Sequence, residues 1–122
     1  MRKILILLFT AVVVGAVLVA GAAAKRSATP VLTGTVGPAY TISVKMNGKT
    51  VKTLKAGSYK LVIHDKASIH GFSLDGPHGF AKDISPVPFV GTKTITLKLK
   101  AGRYKFYCPP HEPTMFGRFT VK

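Results

Sequence analysis

Tryptophan is absent from the sequence, cysteine occurs once, and four acidic residues stand against eighteen lysines and arginines. One thiol cannot form an internal disulfide, and a lone thiol in an oxidising compartment is a liability unless it is buried or bound to metal. Past residue 24, no segment repeats apolar residues at helical spacing for two full turns, which excludes a helical domain. No cysteine follows the apolar leader, so a lipoprotein anchor is excluded as well. Zinc-finger, RNA-recognition and helix-turn-helix patterns are missing, which makes nucleic acid a poor fit.

The chain opens with Met1-Arg2-Lys3, an apolar run over residues 4–20 and then Gly21-Ala22-Ala23-Ala24. A charged start, an apolar stretch and small residues at the end form a secretory signal. The run also approaches the roughly 20 residues that span a bilayer, so an uncleaved N-terminal anchor is the alternative for 1–24. Either way the domain is exported, to the periplasm, the exterior or the outer face of the cytoplasmic membrane. Residues 25–38 are rich in Ser, Thr, Gly and Pro and read as a tether, which leaves 39–122 as the folded domain.

Within that domain apolar and polar residues alternate. Tyr40, Ile42 and Val44 mark a half-buried strand, and Asn47-Gly48 supplies the positive φ angles of a two-residue hairpin, so residues 49–54 should return antiparallel. Leu54-Lys-Ala-Gly-Ser-Tyr-Lys-Leu then matches Leu99-Lys-Ala-Gly-Arg-Tyr-Lys-Phe, a single repeat consistent with two sandwich halves, in which Tyr104 is placed to tie a corner. Three prolines and three glycines over 76–91 predict a long loop or irregular edge folding its apolar side chains over the open side. The class is all-β, a Greek-key β-sandwich of about seven to eight strands.

The densest chemistry lies in one loop between two alternating segments. Cys108, His111 and Met115 place thiolate, imidazole and thioether within eight residues. Soft sulfur with imidazole suits copper in both oxidation states, and a mononuclear electron-transfer site needs a second histidine. His70 is the leading candidate, because alternation puts it on the face of Phe72 and Leu74; His78 is next, and His64 points outward. Pro109, Pro110 and Pro113 stiffen the loop, and Phe72, Phe106, Phe116 and Phe119 are placed to keep water from the ion.

Residues 101–121, AGRYKFYCPPHEPTMFGRFTV, resemble the copper-binding end of plastocyanin-like cupredoxins, and HDKASIHGFSLDGP upstream resembles the first-histidine region of small secreted bacterial cupredoxin-domain proteins. The likeness covers about residues 40–121. It implies a type 1 copper site of His70, Cys108 and His111 with axial Met115, and electron exchange through the His111 edge. Two departures stand out: Gly71 replaces an Asn found beside the ligand histidine in many plastocyanin-like proteins, and three residues rather than four separate His111 from Met115.

The functions these residues permit are a one-electron carrier and a non-redox copper protein for storage or delivery. A copper enzyme would need a second histidine-rich centre, which four histidines with two committed cannot build; zinc would leave the methionine idle, and a Cys-His hydrolase lacks an oxyanion loop. The formal charge of +14 falls by two, to +12, without Arg2 and Lys3. It favours an acidic redox partner or an anionic membrane surface, steering a monomer from lysines spread around the domain.

Overall fold

A computed structural model describes residues 28–122; the leader expected over 1–24 lies outside the described residues. Ten strands follow in order: β1 (Val31–Val36), β2 (Ile42–Met46), β3 (Lys49–Thr50), β4 (Thr53–Leu54), β5 (Gly57–Asp65), β6 (Phe72–Asp75), β7 (Ala81–Ser85), β8 (Gly91–Leu99), β9 (Gly102–Tyr107) and β10 (Phe116–Val121). They form two five-stranded sheets, β3-β2-β1-β5-β8 and β4-β10-β9-β6-β7. β1 pairs with β5, and β4 with β10, in parallel; the other pairs are antiparallel. The all-β sandwich read from the alternation is therefore the fold, with two-residue β3 and β4 raising the strand count.

Period-two alternation builds the core between the sheets. Tyr59, Leu61 and Ile63 of β5 face in, with Leu97 and Leu99 of β8, and meet Phe72, Leu74, Tyr104, Phe106, Phe119 and Val121 of the second sheet, all buried. The two Leu-Lys-Ala-Gly-x-Tyr copies are structurally equivalent. In each, glycine adopts a φ near +150° (Gly57 +152°, Gly102 +147°), and the tyrosine hydroxyl donates back to the lysine carbonyl four residues earlier: Tyr59 to Lys55 at 2.7 Å, Tyr104 to Lys100 at 3.0 Å.

Three expectations need correction. Residues 31–36 are not tether but β1, a central strand held on both sides. Its inward positions are Leu32, Gly34 and Val36, and a Cβ at Gly34 would run into Ile63, so the glycine that hides the alternation is a packing requirement. The return after Asn47 (φ 51°) and Gly48 (φ 76°) lasts only through β3; Val51 then turns into the core and Lys52 leads β4 across to β10 in the other sheet. The 76–91 stretch contains an edge strand, β7, joined to β6 through a bulge at Phe72/Ser73; it buries Ile84 and lays Phe80 on Tyr104, but leaves Val87 and Val90 exposed.

The sandwich has two ends. At one, β1 and β5 finish, β8 begins and β9 runs into the loop before β10. At the distal end β5 and β9 begin, and β8 and β10 finish.

Candidate metal centre

β9 delivers Cys108 to the loop end with its inward residues Tyr104 and Phe106, and all three are buried. The loop closes on itself: Cys108 N–H donates to Met115 O at 3.0 Å, His111 N–H to Cys108 O at 3.0 Å, and Met115 N–H to His111 O at 2.8 Å. Pro109 and Pro110 open a 3-10 turn, Pro109–His111, where their fixed φ is already helical and their missing N–H is not needed. His111 is half-buried and Met115 buried. Glu112 is held by Lys105 Nζ at 2.8 Å.

His70 comes from the β5–β6 connection, where its N–H donates to Ala67 O at 3.2 Å. The ring is fully buried and fixed by packing. A Cβ at Gly37 would stand 3.0 Å from its Cδ2, and its Nε2 is buried without a hydrogen-bond partner. Its Nδ1 faces His111 Nδ1 at 3.2 Å and Cys108 Sγ at 3.7 Å, and His111 Nδ1 lies 3.6 Å from the same sulfur. A point equidistant from these three atoms lies about 2 Å from each, close to the metal–imidazole and metal–thiolate bond lengths of about 2.0 to 2.3 Å. Two imidazole nitrogens and a thiol sulfur converging at that spacing fit one metal ion. His64, half-buried and facing Thr92 Oγ1 at 3.2 Å, and His78, exposed in the β6–β7 turn, stand apart from this cluster.

Several contributors lie outside the sequence expectations. Gly71 N–H donates to Cys108 Sγ at 3.4 Å, a backbone contact that no side-chain pattern announces. Tyr40 is not an inward strand residue: β2 starts at Ile42, and Tyr40 is 61% exposed, with its ring edge-on to His70 at 5.3 Å and to His111 at 5.0 Å between centroids. The Gly37-Pro38 pair was the available signal, since it interrupts the strand just before Tyr40. Phe72, Phe106 and Phe119 are buried and stack in the core, but Phe116 is 42% exposed under Lys105 and Arg118. Beside the cysteine, Tyr107 donates to Asp75 at 3.4 Å; burial foremost, then the Asp75 charge and hydrogen bond, with Glu112 and Asp83 adding, raises its pKa above the ordinary phenol value.

The fold is cupredoxin-like, a two-sheet β-sandwich, and at one end it brings together three residues that could hold a metal ion. Among similar solved structures are the copper protein rusticyanin (20% identity, 80% of each chain covered, TM-score 0.55), rusticyanin from Thiobacillus ferrooxidans (24% identity, 80% of this chain and 79% of that one, TM-score 0.50) and an oxidised variant of amicyanin (14% identity, 75% of this chain and 81% of that one, TM-score 0.51). Neither a family model nor a curated protein sequence matches the chain.

Proposed function

We propose that the protein is a type 1 copper protein that carries one electron, with His70, Cys108 and His111 in the ligand plane and Met115 as the axial thioether. The observation that carries this reading is the Nδ1–Nδ1–Sγ triangle, whose corners already stand at ligand spacing. Copper bound there would supply a Cu(I)/Cu(II) couple. The chain's own part is to keep the ligands still and dry. His70 is wedged between Gly37 and the Tyr40 and His111 rings, Gly71 N–H steadies the sulfur, and backbone hydrogen bonds tie Met115 to both Cys108 and His111. Copper is favoured over zinc because the set adds thioether to thiolate. Electron carriage is favoured over turnover of a substrate because the buried cluster meets solvent only at half-buried His111, and neither His64 nor His78 adds to it. We read the domain as exported, on the strength of its leader.

The test is Cu(II) addition to the purified protein. One equivalent should produce an intense visible thiolate-to-copper band and a reversible one-electron couple. Cys108→Ser should lose the band and keep the far-ultraviolet dichroism of the sandwich. Copper bound without a reversible couple would leave storage or delivery as its role, and no band at all would remove the type 1 assignment.

A further inference from the structure

We infer that the distal end of the sandwich is a docking surface for an anionic lipid headgroup layer, which stands the domain on the membrane with its metal end outward. The register sorts the charges by end, where the sequence implied an even spread. Lys45 opposes Thr33 and Lys49 opposes Met46 in the β2–β3 hairpin, while Lys52 and Lys55 flank β4, all toward the distal end. Lys60 opposes Val31 at the start of β1, Lys98 is near the end of β8 and Lys100 just past it, Arg103 opposes Thr120, and Lys122 follows β10. These nine are all exposed, and none is ion-paired among the described residues, although Asp75 lines a surface depression together with Arg103. By register the five remaining described cations and the four carboxylates lie nearer the metal end, with Asp75, Lys105 and Arg118 at mid-strand.

The two groups also differ in company. Lys105 pairs with Glu112 in the single salt bridge among the described residues, Lys93 lies over Phe89, and Arg118 lies over Phe116. None of the nine distal cations has an ion-pair or aromatic partner among the described residues.

Two further observations favour lipid over an acidic protein. A protein interface has an apolar centre inside its polar rim, whereas a headgroup layer needs only charge. Exposed large apolar residues gather at the metal end (Tyr40, Ile69, Val87, Val90, Phe116), and only Val31 is distal. The chain also enters the domain here: Lys60 N–H donates to Pro30 O at 2.9 Å, and Lys25, Arg26 and the apolar run over 4–20 precede that point in sequence.

The test compares two triple variants of the full chain, copper-free, on sedimented vesicles of pure phosphatidylcholine and of phosphatidylcholine with phosphatidylglycerol. Lys49→Gln, Lys55→Gln and Lys100→Gln neutralise the distal end; Lys66→Gln, Lys82→Gln and Lys93→Gln remove the same charge from the metal half. Each basic residue near an anionic surface contributes enough that three should change the anionic-over-neutral binding ratio by about tenfold or more. We expect the distal variant to lose that ratio, the other to keep it, and salt to abolish it. Equal loss in both would mean that net charge alone acts and would overturn the proposal. So would binding to polyglutamate without preference for anionic vesicles, which would point to an acidic protein. Because copper is omitted, the outcome is independent of the redox assignment.

Discussion

Gly71 carries two demands that only a residue without a side chain meets. Its N–H must reach Cys108 Sγ, and a Cβ would stand 2.8 Å from Ser85 O and 3.4 Å from Pro109 Cδ. The first of these contacts is backbone, which cannot swing aside, so the Asn of many plastocyanin-like proteins has no room here. Gly71→Ala should cost about 1 to 3 kcal/mol by overpacking, read as a lower urea midpoint of the copper-free protein, and should shift the visible band as the N–H moves from the sulfur. A variant as stable as the parent would mean that the loop yields freely. At Met115 the demand that the proposed copper site makes is electronic. A weak axial thioether stabilises the oxidised ion and an alkyl group does not, so Met115→Leu should retain copper and raise the reduction potential in voltammetry. An unchanged potential would place Met115 off the axis.

Between elements, the metal end is held by a clamp across the sheets. Asp65, at the end of β5 and 2% exposed, accepts from the Ser85 hydroxyl at the end of β7 and from Ala67 N–H at 3.2 Å, in the turn that leads to His70. Ser85→Ala leaves this buried carboxylate short of a donor, at a cost of about 1 to 3 kcal/mol. Ser73→Ala removes a 2.6 Å bond to Asp83, but Asp83 is exposed and water replaces the donor. Urea unfolding should therefore rank Ser85→Ala clearly below Ser73→Ala; the reverse order would show that the clamp carries no weight. None of this network was legible in the sequence, because residues twenty apart meet only once two sheets are stacked. Strands β5, β8 and β9 were legible, since inward leucine, isoleucine, tyrosine and phenylalanine alternate there, and β10 was legible from Phe119 and Val121 beyond Gly117. β1 was not, because its middle inward position is Gly34. Loop spacing singled out Cys108, His111 and Met115, and strand parity singled out His70. The contributions of Tyr40 and Gly71 escaped notice because they depend on a turn and on a backbone N–H.

At the scale of the whole molecule, the separation of charge makes the formal net +14 a poor guide to encounters at the metal end. β5 alone is nine residues, so the distal cations lie up to about 30 Å from the His111 edge. At about 0.1 M salt the screening length is about 10 Å, and charges that far away contribute little. Outside the distal cluster the described residues carry five cations against four carboxylates, one of them buried Asp65, and the metal end exposes Tyr40, Ile69 and Val87. Electron self-exchange brings two such ends together and separates the two accounts of the charge. If net charge governed, two strongly cationic molecules would repel and the rate would climb steeply with ionic strength. If the local balance governs, the rate should change by less than about threefold between about 0.1 and 0.5 M salt, where only nearby charges are felt. Nuclear magnetic resonance line broadening in mixtures of the Cu(I) and Cu(II) protein measures that rate. A tenfold rise over the interval would return the control to the whole-molecule charge and remove the metal end as the contact surface.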